Sequence, residues 1–254
     1  MKKIFLAVII LCACVSAVAQ DAAYEYRTFT SADGKTLNYR LLTPDEEAKG
    51  KKFPLVVFLH GAGQKGDDNE KQLTNGGEMF LNPVNREKYP AFVIFPQCPE
   101  GEWWTWDRKP KNFDTLTYSE DLNPSLAMVK EVIDEHLALP EVDKSRIYLI
   151  GYSMGAVGIY DLVAHYPDMF AAAVPMAGAI APGHLEKARK TAFRIFHGDI
   201  DPTVPVKCSR RVYKELRKAG IKVEYIEMPG GKHSICKEAY GRDDFMSWIF
   251  KQKR

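Results

Sequence analysis

Cysteine is scarce in this 254-residue chain, five in all, and two of them, Cys12 and Cys14, fall in one apolar N-terminal run. The remaining Cys98, Cys208 and Cys236 are too few for a disulfide framework. They also show neither a CxxC pair nor the Cys/His spacing of a zinc site. Glycine (18) and proline (15) stay near average usage, which excludes collagenous and low-complexity chains. No block of like charge occurs, and 35 Lys+Arg against 33 Asp+Glu leave a formal net charge of only +2. That balance argues against nucleic acid or a polyanionic membrane surface as the principal partner. No apolar run reaches the ~20 residues of a spanning helix. What is left is a globular chain whose length suits one α/β or all-β unit better than two full domains.

The N-terminus reads separately. Met1–Lys3 is basic, Ile4–Val15 is almost wholly apolar, and Ala17–Val18–Ala19 resembles an A-x-A cleavage site. This pattern predicts a secretory signal over residues 1–19, export to the periplasm or the extracellular space, and a single domain over residues 20–254. Leu11–Cys14 offers an alternative, a lipid anchor on Cys14, but Cys12 is an odd residue at the second position of such a signal. Residues 1–19 hold Lys2 and Lys3 and no acid, so the rest of the chain is formally neutral, and small neutral ligands stay open as partners.

Beyond the leader, Tyr24–Thr30 and Thr36–Thr43 are aromatic and β-branched runs joined through Asp33–Gly34, a hairpin signal. Pro54–His60 is a continuous apolar run, and a largely apolar pattern recurs at Ala91–Phe95, Arg146–Ile150, Ala171–Met176, Phe193–Phe196 and Val223–Met228. Such runs suit strands buried on both faces of a parallel sheet. Between them, Pro124–Leu137, Ala156–Tyr166, Cys208–Lys218 and Glu238–Phe250 carry helical spacing. The alternation predicts an α/β fold: a mostly parallel sheet with helices on both faces, begun by an antiparallel hairpin. Only Pro96–Asp121 lacks a period, and it holds Trp103, Trp104 and Trp106.

The sharpest chemical signal is Gly151–Tyr152–Ser153–Met154–Gly155, between a buried run and a helical segment. G-x-S-x-G in that context is a turn so tight that only small residues fit around the serine, whose hydroxyl is lifted above the sheet. The helix start places unpaired N–H groups, including that of Met154, beside any developing oxyanion. A serine hydroxyl is a poor nucleophile near neutral pH and needs a histidine base and an acid to orient it. Of six histidines, His136 and His165 lie in helical segments, His184 has no partner signal, and His197 ends an apolar run where packing or capping is usual. His233 lies in the glycine-rich loop after the last run, where open α/β sheets hold their sites. His197–Pro205 supplies two candidate acids, Asp199 and Asp201. A chain order of Ser, then Asp, then His is satisfied by Ser153, Asp201 and His233. His60–Gly61–Ala62–Gly63 follows the first buried run and can turn a backbone N–H toward the nucleophile.

Together these residues resemble the α/β-hydrolase superfamily. Within it they are similar to small bacterial serine esterases related to dienelactone hydrolases, carbohydrate esterases of the feruloyl esterase type and polyhydroxybutyrate depolymerases. The carriers are LHGAGQKGDDN (Leu59–Asn69), FPQCPEGEWW (Phe95–Trp104), GYSMGA (Gly151–Ala156), HGDIDPTVP (His197–Pro205) and PGGKHS (Pro229–Ser234), spread over nearly all of the chain after the leader. The resemblance implies an α/β-hydrolase fold, carboxylic ester cleavage through an acyl-enzyme, and no metal or organic cofactor. It also implies that Asp201 is the acid, with Asp199 a turn residue, and that Ala62 provides the second oxyanion donor. Ser153 stands where dienelactone hydrolase has cysteine, which favours ordinary ester cleavage over lactone opening. Prolyl oligopeptidases use similar motifs, so a serine peptidase is the alternative within enzymes, although the usual extra propeller has no room here. A non-catalytic binding module on the same fold is the alternative from another class.

Two expectations concern the surroundings of the site. Trp103, Trp104 and Trp106 are candidates to line an acyl or sugar pocket, with packing of their loop as the alternative; a small-molecule or polysaccharide-linked ester, feruloyl or acetyl among them, is the expected substrate. Cys208 and Cys236 follow the acid and histidine loops closely enough that a bridge between them is conceivable.

Overall fold

The computed structural model describes residues 23–45, 50–107, 110 and 112–254, so the leader read at residues 1–19, including Cys14, lies outside the described residues. Eight strands form one sheet in the order β1-β2-β4-β3-β5-β6-β7-β8. They are β1 (Glu25–Thr30), β2 (Thr36–Leu42), β3 (Phe53–Leu59), β4 (Phe92–Pro96), β5 (Val142–Tyr152), β6 (Ala172–Met176), β7 (Ala192–Gly198) and β8 (Val223–Met228). β1, β2 and β4 pair antiparallel, and every pairing from β4 through β8 is parallel. This is the α/β-hydrolase architecture.

The run FPLVVFL makes β3 a central strand because all seven of its residues are buried, as a strand covered on both faces requires. Its alternate residues feed two cores. Leu55, Val57 and Leu59 point to one apolar cluster, and Val56 and Phe58 to the other. The first cluster is closed by α3 (Pro124–Leu137), α4 (Met154–His165) and α5 (Lys207–Lys218), the second by α1 (Gly77–Leu81), α6 (Cys236–Tyr240) and α7 (Phe245–Phe250). α3 starts at Pro124 because the Asn123 side chain caps the Ser125 N–H at 3.0 Å and proline needs no donor there. α5 is charged on one side and buries Val212 and Leu216 on the other, each contributing about 1.5–3 kcal/mol on leaving water.

The described residues depart from expectation in three places. Glu238–Phe250 is two short helices, broken where Gly241 and the charged Arg242–Asp244 interrupt the apolar spacing. α1 and α2 (Pro83–Lys88) were not anticipated; Asn82 and Pro83 start α2 in the same way that Asn123 and Pro124 start α3. All three described cysteines are free and buried. Cys208 packs with Ala179 and Val204, whereas Cys236 belongs to the core on the α6–α7 face, so the conceivable bridge is not formed. Among the described residues no helix is long and apolar enough to cross a membrane.

Candidate active site

The turn between β5 and α4 places Ser153 at φ 53°, ψ −116°, a backbone conformation that costs roughly 1–3 kcal/mol and is held by its surroundings. Crowding explains the glycines around it. A Cβ on Gly155 would sit 1.9 Å from the Leu59 carbonyl oxygen, and one on Gly151 would sit 2.4 Å from the Gly155 carbonyl oxygen. Both obstacles are backbone, so neither can swing away. The Ser153 N–H is tied to the Met176 carbonyl at 2.8 Å, which fixes the turn to β6.

His233, on the loop after β8, reaches Ser153 Oγ with Nε2 at 2.8 Å and Asp201 Oδ2 with Nδ1 at 2.7 Å. An ionised carboxylate only accepts, so Nδ1 carries the proton and Nε2 is left with the lone pair that takes the Ser153 hydroxyl. The Asp201 side chain is fully buried. Burial alone would push its carboxyl up, but contacts from His197 and His233 and the Val204 and Thr203 N–H groups outweigh burial and hold it well below the usual carboxylate range. Asp199 faces elsewhere, accepting the Gly230 N–H at 2.7 Å. The two aspartates left open by their spacing are thus told apart by direction. Ala62, at the start of a 3₁₀ turn, and Met154, at the start of α4, border the same cleft as Ser153.

A model of the phospholipase/carboxylesterase family matches residues 46–242. The chain belongs to that family. Poly(3-hydroxyalkanoate) depolymerase C of Paucimonas lemoignei is 30% identical over 154 residues, which is 59% of this chain and 33% of that protein. Feruloyl esterase B of Thermothelomyces thermophilus is 29% identical over 127 residues, covering 49% of this chain and 39% of that one. Among solved structures, a thermostable esterase superposes with a TM-score of 0.84 at 32% identity, covering 92% of this chain and 64% of the other. The chain spans between a third and about half of the length of the first curated relatives it matches.

In this phospholipase/carboxylesterase family member, Ser153 borders two clefts of different character. One, of about 510 Å³, is lined by Gln64, Asn75, Ser234, Lys237 and Glu238 beside His233. The other, of about 330 Å³, is lined mainly by apolar groups, among them Trp103, Phe113, Leu116 and Val157, with Asp107 as its charged member. Of the three tryptophans, Trp103 alone lines it. Trp104 is fully buried and its Nε1–H donates to the His60 carbonyl at 3.1 Å, so it cannot touch a ligand. Trp106 is 49% exposed, borders neither cleft, and donates to the Asp121 carbonyl at 2.8 Å. The expectation that all three line a pocket is corrected to one. An indole N–H under cover must find an acceptor, and for Trp104 that acceptor lay beneath the loop.

Two further histidines belong to the surroundings of the site and carried only weak sequence signals. His60 is buried at the end of β3. Its Nδ1 faces the Gly61 carbonyl at 2.6 Å and its Nε2 accepts the Cys98 N–H at 2.9 Å, joining the Ala62 loop to the segment after β4. Burial lowers its pKa to about 4, so it stays neutral. His197 lies beside Asp201. Position at the end of an apolar run and before glycine was the one hint for both. His136, His165 and His184 stay away from Ser153: the first two bond carbonyls one helical turn back, and the third stacks on Tyr118.

Proposed function

We propose that the protein is an exported carboxylic ester hydrolase working through an acyl-enzyme on Ser153. The observation that carries this reading is the continuous hydrogen-bonded line Ser153–His233–Asp201 at the meeting of the two clefts. His233 Nε2 takes the Ser153 proton as Oγ adds to the acyl carbon, and Asp201 orients the ring and stabilises the imidazolium. The Ala62 and Met154 N–H groups hold the tetrahedral oxyanion. As the intermediate collapses, His233 returns its proton to the departing alcohol. Water, deprotonated by the same ring, then releases the acid.

The two clefts divide the substrate. An aryl or medium aliphatic acyl group fits the apolar cleft against Trp103, and a hydroxylated alcohol, free or on a polysaccharide, fits the polar one. Feruloyl and acetyl esters are the substrates to compare. Export rests on the pattern at residues 1–19, and mass spectrometry of the mature N-terminus tests it: Gln20 supports it, and an unprocessed Met1 rejects it.

Activity is tested with p-nitrophenyl acetate on wild type and Ser153→Ala. The variant should lose at least ~10⁴-fold in kcat while its melting temperature is kept. Equal rates would leave a binding module as the better account. A panel of methyl ferulate, acetylated xylan, short p-nitrophenyl esters and a prolyl peptide, compared by kcat/KM, should rank esters above the peptide. The reverse order would favour a peptidase.

A further inference from the structure

His197 is the next-to-last residue of β7, four residues before Asp201, and is fully buried. Its Nε2 lies 2.9 Å from the Val204 carbonyl, which can only accept, so Nε2 carries the ring proton. The same nitrogen lies 3.3 Å from Asp201 Oδ2, the oxygen that takes the His233 Nδ1–H. Nδ1 faces Ser209 Oγ at 2.7 Å, and Ser209 is also fully buried, in the first turn of α5. His197 and His233 thus converge on one oxygen of Asp201. His197 also closes a ring: the Val204 N–H serves Asp201 Oδ1 at 3.0 Å while the Val204 carbonyl receives His197.

We propose that His197 is a positioning residue for the acid of the triad, its Nε2–H fixed by the Val204 carbonyl and its Nδ1 by Ser209. In that form it pins the loop of residues 199–204 through the Val204 carbonyl and turns its proton toward Asp201 Oδ2. This rests on the reading of Ser153, His233 and Asp201 as a catalytic line. A leucine of similar volume would fill the space but would orphan the Val204 carbonyl and remove a donor beside a buried carboxylate. Both losses are costly where water is excluded. The other groups facing His197 are committed elsewhere. Glu227, its register partner on β8, pairs with Arg210 and Tyr225, which bring its carboxyl down to about 2, and Cys208 on α5 is a buried thiol pushed up by burial. Asp201 is thus the carboxylate that His197 is placed to serve.

The test compares wild type, His197→Leu, His197→Gln and Ser209→Ala over pH with a p-nitrophenyl ester. Rates are normalised to sites titrated with a fluorophosphonate, and Ser153→Ala is the blank. His197→Leu should lose roughly 10- to 100-fold in kcat/KM per titrated site, as misplacement of a catalytic group does. Its acid limb should move up, because Asp201, with one donor fewer, attracts the His233 proton more strongly. His197→Gln, whose Nε2–H can stand where the imidazole proton stood, should recover part of both, and Ser209→Ala should show the smallest change. Per-site rates within twofold of wild type and an unmoved limb, with only a lower melting temperature, would reduce His197 to packing and overturn the proposal. A wild type no faster than Ser153→Ala would instead sink the catalytic reading itself. Should His197→Leu not fold, nitrogen-15 NMR of the wild type decides: a proton on Nε2 is expected, and a proton on Nδ1 alone overturns the assignment.

Discussion

The turn that carries Ser153 and the loop that carries the three tryptophans border one cleft, yet they are held by opposite means. The turn is set by backbone against backbone: β5 and α4 meet where the Leu59 and Gly155 carbonyls leave no room for a side chain. Among its described residues the loop has one short 3₁₀ turn, Phe113–Thr115, and several of its anchors are side chains. Trp104 plugs beneath it, Trp106 bonds Asp121, Asp107 receives the Thr117 N–H, and Lys207 pairs with Asp114. Under the proposed function, the difference separates chemistry from selectivity. A turn built from steric exclusion has one solution, whereas a loop anchored by a few side chains can be remodelled without touching Ser153.

Substitutions at graded positions sharpen that contrast. The largest effect belongs to the turn. Gly155→Ala pushes a methyl into immovable backbone, so it should cost more than the ~1–3 kcal/mol of ordinary overpacking. It should leave esterase activity undetectable or the chain insoluble; thermal unfolding and a p-nitrophenyl ester assay check this. Trp104→Ala comes next. It empties a fully buried indole site against His60 and Gly158, where a Cβ would already come within 2.9 Å of Trp104 Cβ. The expected loss is about 3–5 kcal/mol in denaturant unfolding, with kcat falling because the His60 carbonyl and the Ala62 loop lose their support.

Trp103→Ala should act on selectivity instead. A roughly 10-fold fall in kcat/KM for an aryl ester relative to an acetyl ester, with little change in melting temperature, would place its ring on the acyl group. Trp106→Ala should fall within about 0.5 kcal/mol of wild type and leave the ratio unchanged. If Trp106 rather than Trp103 moved the ratio, the apolar cleft would not be where acyl groups bind.

Most of the sheet was legible in the chain, because strands buried on both faces must be continuous apolar runs and these mark β3 to β7 within a few residues. α1 and α2 were not, since five- and six-residue helices span too few turns to show a period. Ser153 and His233 stood out because a strained turn and a loop beyond a strand end leave marks in composition. Asp199 and Asp201 could not be separated by spacing, because both lie in one turn and differ only in which carboxylate faces inward. His60 and His197 look alike as a histidine before a glycine at a strand end. One is nevertheless read as the Nδ1–H tautomer and the other as Nε2–H, since the carbonyl that each must serve comes from a different part of the fold.

Local sterics and hydrophobic pattern are properties of neighbouring residues, and by themselves they determined the α/β order, the serine turn and the histidine loop. Which aspartate meets His233, which tryptophan reaches the cleft, and that Cys208 and Cys236 stay apart were decided by the tertiary structure. Those outcomes depend on where distant donors, acceptors and cavities come to lie once both faces of the sheet are covered.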